Sequence, residues 1–217
     1  MFNNIPQPTI IRLCTIYQFL FELEKEGVTS ISSTELDAKI GVASHTIRKD
    51  INYLGEIGNT RGGYDVSRLK NHIAIHLRIG PQQKSCVVGL GHLGQAILQS
   101  SSLGGGEFKI VAGFDSNVNK LETIKASVPL FPSYEIADVV RSMGIDLAVI
   151  AVPPENARDV AGRLFEGGIK GILNFAPVVI KPGKSGVIVR NIDIGQEFRI
   201  LSVLARSQNP TIEPATH

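Results

Sequence analysis

Glycines supply the first residues in this chain that could do chemistry. Residues 86–96 read Cys-Val-Val-Gly-Leu-Gly-His-Leu-Gly-Gln-Ala, which sets Gly89, Gly91 and Gly94 at G-x-G-x-x-G spacing. With 22 glycines in 217 residues that spacing is weak alone, but here it follows an apolar run and opens a helically spaced Leu93, Ala96 and Ile97. Gly89 would permit a tight turn, Gly91 would let backbone approach a pyrophosphate, and Gly94 would let helix and strand pack closely. Free N–H groups at the helix start would face the phosphates. Leu90, His92 and Leu93 complete the loop, with His92 an exposed residue beside the phosphates rather than a catalyst. A second apolar run ends in Asp115, 21 residues after Gly94. Its carboxylate would accept hydrogen bonds from the adenosine ribose and repel a 2′-phosphate, which favours NAD(H) over NADP(H).

A different chemistry lies nearer the N-terminus. Ser32-Ser33-Thr34-Glu35 is a capping box that starts a short helix to Ile40, and Gly41 is placed for a left-handed helix end. Ser44 is read as the cap of a third helix to about Leu54, with Ile47, Ile51 and Leu54 spaced inward. That leaves Ser44, His45, Thr46, Arg48, Lys49 and Asn52 for solvent or for a partner. Two short helices joined by a glycine turn are the helix-turn-helix arrangement, whose second helix enters a DNA major groove. Arg can fork onto guanine, Lys can take phosphate, and hydroxyls can do either. The plainer alternative is a three-helix bundle with a solvated polar face. Gly55, Gly58, Gly62, Gly63 and Tyr64 suit a glycine-rich wing, with Arg61 near its tip.

Other chemistries find little support. Cys14 and Cys86 lie 72 residues apart without clustered His, so neither a disulfide framework nor a zinc site is expected, and a reducing cytosol fits. His72 and His76 share a helix face at i, i+4 but lack acidic or Cys companions, so no metal is expected. The second half shows no Tyr-x-x-x-Lys set and no His/Asp pair for a dehydrogenase. Nor does any apolar run approach the ~20 residues of a membrane span, and the start lacks the order of a signal peptide. A cytoplasmic protein is the expectation.

The elements that must hold these residues change texture near residue 80. Ahead of it come short helices, the first from about Pro8 to Lys25, apolar widely enough to pack on two sides. After a turn-rich linker at Ile79–Lys84, apolar runs at Ser85–Gly89, Ile110–Asp115, Leu147–Val152, Gly171–Phe175 and Gly186–Val189 alternate with helical stretches. Continuous apolar strands separated by helices call for a parallel sheet covered on both faces. Residues 100–106 read as a flexible loop and the tail after Gln208 as frayed. Hydrophobic residues at 43% against 19% charged exclude disorder as the dominant state. Residues 1–80 carry nine Lys or Arg against eight Asp or Glu, so any DNA contact must be a local patch.

Taken in order, these parts resemble the Rex redox-sensing transcriptional repressors over about Ile5 to Leu204. The resemblance rests on Val42–Asp50 in the third helix, Gly63-Tyr64-Asp65-Val66, the Gly89–Gly94 loop, Gly168–Val178 with its Asn-Phe-Ala-Pro-Val, and Val189-Arg190-Asn191-Ile192-Asp193. It implies an α/β chain with a winged helix-turn-helix domain at 1–80, a doubly wound Rossmann domain at 81–194, and a dimerisation helix and tail at 195–217. That helix, about Gly195 to Ala205, would be exchanged between subunits of a homodimer. Implied too is a repressor that leaves operator DNA when NADH binds, with NAD+ permitting binding. Asn174, Phe175, Ala176 and Pro177 would lie near the nicotinamide.

Departures from the family pattern bear on the switch. Gln18 stands where relatives carry Arg, and Ser100 where they carry Tyr; in the family these two join the Asp matching Asp193 in a network. The wing is one residue shorter, and Asp115-Ser116-Asn117-Val118 replaces an Asp-Val-Asp-Pro pattern. Two alternatives therefore remain beside the sensor: an NAD(H)-binding dimeric DNA-binding protein with weak or no redox response, and a small NAD-dependent dehydrogenase.

Overall fold

The computed structural model describes residues 5–55, 57, 63–80, 82–100, 104–182 and 186–208, and the chain divides into two units, Met1–Pro81 and Gln82–His217. Helix α1 (Gln7–Lys25) opens with proline, whose missing N–H matters least in a first turn. Thr9, Leu13, Ile16 and Leu20 form its one fully buried stripe. Tyr17, Phe19 and Leu23 are half-buried shoulders and Ile11 is exposed, so the helix packs along one side, not the expected two.

Helix α2 (Ser33–Ile40) begins with the expected capping box: Glu35 N–H donates to Ser32 Oγ and Ser32 N–H to the Glu35 carboxylate. Gly41 ends it in the left-handed conformation. Helix α3 (Ser44–Asn52) corrects the expectation for Ser44. Ala43 occupies the cap position, and Ser44 is the first helical residue. Its N–H donates to the Asp37 carboxylate of α2 at 3.0 Å, so a neighbouring helix supplies the acceptor that a capping side chain would have given. Ile47, Ile51 and Leu54 are buried as expected, each contributing about 1.5–3 kcal/mol. A two-residue strand β1 (Ser30–Ile31), unseen in the sequence, pairs antiparallel with β2 (Tyr64–Asp65). Asp65 then caps α4 (Val66–Leu77) by accepting from Arg68 N–H at 2.7 Å. The wing residues Gly58, Arg61 and Gly62 lie outside the described residues.

The second unit is a six-stranded parallel sheet in the order β5-β4-β3-β6-β7-β8. In chain order its strands are β3 (Gln83–Val88), β4 (Phe108–Asp115), β5 (Leu130–Pro132), β6 (Leu147–Ile150), β7 (Gly171–Asn174) and β8 (Ile188–Asn191). Along β3, Cys86 and Val88 enter one apolar cluster and Val87 the other. That alternation covers both faces, as parallel pairing demands. Helices α5 (His92–Leu98), α6 (Val118–Thr123), α7 (Ile136–Met143) and α8 (Pro154–Gly167) make the connections. Strand β5 escaped the sequence reading because Pro129 precedes it and Pro132 ends it; it is an edge strand, where a missing N–H is tolerated. The linker is shorter than expected, since Gln83 already donates its N–H to Glu107 O at 2.8 Å. Gly104–Gly106 is a 3-10 turn rather than open loop, while residues 101–103 and the tail after Gln208 lie outside the description. The last helix, α9 (Ile194–Gln208), carries Ile194, Phe198, Leu201, Val203 and Leu204 exposed.

Candidate dinucleotide cleft and nucleic-acid interface

Strand order reverses between β3 and β6, the place where doubly wound sheets take ligands at their carboxyl ends. A cleft of about 520 Å³ opens there, lined among others by Gly89, Gly91, Asp115, Lys120, Asn156 and Arg163. The three loop glycines have different reasons to be glycine. Gly89 has φ +91°, and a Cβ would fall 2.5 Å from Ala151 O. At Gly94 a Cβ would fall 1.8 Å from Gly89 O. Gly91 has an ordinary backbone, and a Cβ would meet nothing within 4 Å. The fold needs the first and third glycines; only something entering the cleft would need the second.

The remaining loop residues divide by direction. His92 and Leu93 are exposed at the start of α5. Leu90 is wholly buried, so only its backbone serves the site, and its N–H donates to Asp115 Oδ2 at 2.8 Å. Asp115 is 8% exposed. Its Oδ1 accepts from Asn117 N–H at 3.0 Å and its Oδ2 also from Lys120 Nζ at 2.9 Å. Burial pushes this carboxyl up, but the Asn117 and Leu90 N–H groups and Lys120 outweigh it, and the net direction is down. Asp115 is thus an anion paired with a cation, which qualifies the argument that its bare charge repels a 2′-phosphate. Lys120, five residues on and within the first turn of α6, was the partner the sequence reading missed.

Asn174, Phe175, Ala176 and Pro177 do not line this cleft; they begin the loop leaving β7, next to β6, where Phe175 N–H donates to Ile150 O. Asn174 and Ala176 are buried, Phe175 is half-buried and Pro177 exposed. The Asn174 amide is consumed within that loop, so a direct bond from it to a ligand would have to displace an internal one. Cys86 is core, its thiol pushed up to about 12 by burial. Among the described residues no cluster of His, Cys, Asp or Glu could hold a metal, and no helix is long and apolar enough to cross a membrane.

On α3, His45, Arg48, Lys49 and Asn52 are exposed, and Ser44 and Thr46 half-buried. His45 Nε2 and Thr46 Oγ1 are 3.2 Å apart, and Arg48 donates to Ser33 Oγ of α2 at 2.8 Å. Beneath this face lies a residue whose part in the site went unread. Asp50 is 1% exposed and takes a two-pronged bond from Arg12 of α1, at 2.5 and 2.8 Å, with Thr9 Oγ1 donating at 2.9 Å. The bond to Asp50 raises the Arg12 guanidinium. A buried polar cluster so fully satisfied fixes the pitch of α3 against α1. The signal was available as an Asp on the inward side of an otherwise apolar helix face.

Of the three residues read as a switch, Gln18 and Asp193 are engaged locally. Gln18 donates to Glu22 one turn on, at 3.1 Å. Ser100 is exposed just beyond α5. Asp193 Oδ1 accepts from Gln196 N–H at 3.1 Å and starts α9.

Together, a helix-turn-helix unit ahead of a dinucleotide-type parallel sheet defines a two-part protein, one part shaped for nucleic acid and the other for a nucleotide. Residues 4–52 match the family model described as "Putative DNA-binding protein N-terminus", and residues 82–178 match the CoA binding domain. The chain is 38% identical over 205 residues to the redox-sensing transcriptional repressor Rex 1 of Thermotoga maritima, covering 93% of this chain and 96% of that one. It is 37% identical over 200 residues to Rex of Carboxydothermus hydrogenoformans, covering 92% and 95%. A crystal structure of RSP with NAD+ and operator DNA superposes with a TM-score of 0.84 at 31% identity, over 94% of each chain. RSP with NADH gives 0.82 at 29%, over 94% of this chain and 96% of that one. The chain belongs to the Rex family of redox-sensing transcriptional repressors.

Proposed function

We propose that this chain is a cytoplasmic repressor that binds operator DNA through its N-terminal domain and senses the NADH/NAD+ balance through its parallel-sheet domain, NADH releasing the DNA. In this reading residues 1–80 bind DNA, residues 81–194 bind NAD(H), and residues 195–217 pair the subunits of a homodimer. The observation that carries it is Gly91, a glycine that the folded chain does not need, at the mouth of a 520 Å³ cleft on the switch point of the sheet. The pyrophosphate would pass over Gly91, the ribose would meet Asp115 and Lys120, and the nicotinamide would reach the loop of Phe175 and Pro177. Ser44, His45, Thr46, Arg48, Lys49 and Asn52 would face DNA, with Arg61 on the wing. The apolar side of α9 supports pairing with a second copy, since Phe198 is 66% exposed and Leu201 60%. Regulation rather than turnover is the activity, in keeping with the family.

One observation favours a weaker switch within the same reading. Gln18 is satisfied by Glu22 on its own helix, and Ser100 is too short for the reach of a Tyr hydroxyl. The test is a mobility-shift titration on the DNA upstream of this protein's own gene. Retardation with NAD+ and release by NADH support the sensor; retardation that NADH does not alter supports the unswitched form. Absence of any sequence-specific shift would sink both.

A further inference from the structure

The amide of Asn174 is bonded to its own loop and to β8, which raises the question of what holds the loop that would meet the nicotinamide. Asn174 ends β7 and Asn191 ends β8, and the two are register partners. Asn174 Oδ1 accepts from Ala176 N–H at 3.0 Å. Its Nδ2 donates to Val178 O at 2.8 Å and to Asn191 Oδ1 at 2.9 Å, with Ala176 O at 3.2 Å. Asn191 Oδ1 accepts a second bond, from Ile180 N–H at 3.0 Å, and its Nδ2 donates to Ile180 O at 3.3 Å. Ile192 N–H donates to Asn174 O at 2.8 Å. Two side-chain amides therefore span the loop from Ala176 to Ile180, which leaves Pro177 and Val179 exposed and Phe175, at its start, half-buried.

From this we infer that Asn191 is a positioning residue of the dinucleotide site, acting through Asn174 to set the loop that faces the nicotinamide. The inference rests on the proposed placement of the nicotinamide at that loop. Asn191 does not line the cleft; it is exposed at the sheet edge and holds the loop through one hydrogen bond from the buried Asn174 amide and two bonds with Ile180. Two residues further on, Asp193 caps α9. The span Asn191–Asp193 thus anchors the ligand loop at one end and starts the apolar C-terminal helix at the other.

A split between ligands distinguishes positioning from general stability. ADP fills the pyrophosphate and ribose end alone, whereas NADH must also use the loop. Asn191→Ala should weaken NADH about tenfold or more, the order expected when neutral hydrogen bonds that fix a loop are lost. Its ADP affinity, measured by calorimetry, should stay within about twofold and reports that the domain is folded. Asn191→Asp keeps the acceptor for Asn174 and Ile180 and should recover most of the NADH affinity. Equal loss of NADH and ADP in Asn191→Ala would make the residue merely structural and overturn the inference. So would unchanged NADH affinity in Asn191→Ala when Phe175→Ala loses NADH, since the loop would then matter without its clamp. If both variants bind NADH unchanged in a protein that binds ADP, the nicotinamide does not lie at this loop and the underlying placement fails with the inference.

Discussion

The candidate nucleotide cleft and the exposed face of α3 are built on opposite principles. The cleft is shaped by backbone: two glycines packed against carbonyl oxygens, two N–H groups holding Asp115, and strands buried on both faces. The α3 face is a row of exposed side chains, held from beneath by a partly buried ion pair in which only Asp50 is fully enclosed. In the cleft, small chemical changes act all or nothing, because backbone cannot yield. On α3 they act by degrees, because exposed side chains share the work and the fold beneath does not depend on them.

The largest expected effect comes from setting Gly94 against Gly91. A Cβ at Gly94 falls within bonding distance of Gly89 O, so Gly94→Ala should cost about 3 kcal/mol or more, read as a lowered Tm of the sheet domain. Gly91→Ala should melt as the unmodified protein does yet lose most of its NADH affinity by titration. Undiminished affinity in that variant would remove the pyrophosphate from the loop. Next is Arg12→Met. It leaves the Asp50 carboxylate buried with only Thr9, and breaking such a pair costs about 3 kcal/mol. Urea unfolding of the N-terminal unit would register it; a loss below about 1 kcal/mol would mean that the pair adjusts α3 without anchoring it.

Smaller effects belong to the exposed face. If Arg48 or Lys49 reads a base edge, its Ala variant should lose ~1–3 kcal/mol of specific binding and relax one operator position. If the contact is to phosphate, all sequences should weaken alike and the salt slope should fall by about one unit. Arg48 must first leave Ser33, so Ser33→Ala should improve its DNA binding slightly. Smaller again is the switch: Gln18→Arg with Ser100→Tyr should deepen NADH-driven release by ~1 kcal/mol, more than either alone. Complete release by stoichiometric NADH in the unmodified protein would show that the signal runs elsewhere.

How legible each region was in the sequence follows the same divide. The loop glycines could be read because a pyrophosphate and a tight turn tolerate no Cβ, and that demand leaves a spacing in the sequence. The capping box at Ser32 and Glu35 was legible because both bonds are local. Ser44 misled because its acceptor lies on another helix, seven residues back. Arg12 and the Asn174–Asn191 clamp were out of reach for the same reason, partners brought together by the fold leaving no fixed spacing along the chain, whereas Lys120 lies only five residues from Asp115 and was simply not read. The places assigned to Asn174 and Phe175 near the nicotinamide came only from resemblance; the bonds that make Asn174 hold its loop had no signal in the sequence.

The two regions should also part under acid, and this is the subtlest of the expected effects. His72 on α4 is half-buried and donates through Nε2 to Leu54 O at 3.0 Å, while the His76 ring lies against it, tilted 44° with centroids 4.2 Å apart. Burial first, then His76 and Arg68, lower its affinity for a proton against the opposing pull of the Leu54 carbonyl. A ring held neutral in the fold binds fewer protons than in the unfolded chain. As pH falls through the ordinary His value of about 6.5, the unfolded chain therefore gains protons first, and the N-terminal unit loses stability. Asp115 follows the same sign in a lower pH window. Its net lowered value keeps its contribution intact at every pH above the ordinary carboxylate range, and that contribution is lost only as pH falls through the lowered value. Between pH 7.5 and 5.5 the melting of the N-terminal unit should thus decline while NADH affinity holds at the Asp115 end of the cleft. Changing His72→Gln, which keeps a donor for Leu54 O, should flatten the decline. Melts that fall equally with and without that substitution would place the acid sensitivity on other groups and erase this difference between the two regions.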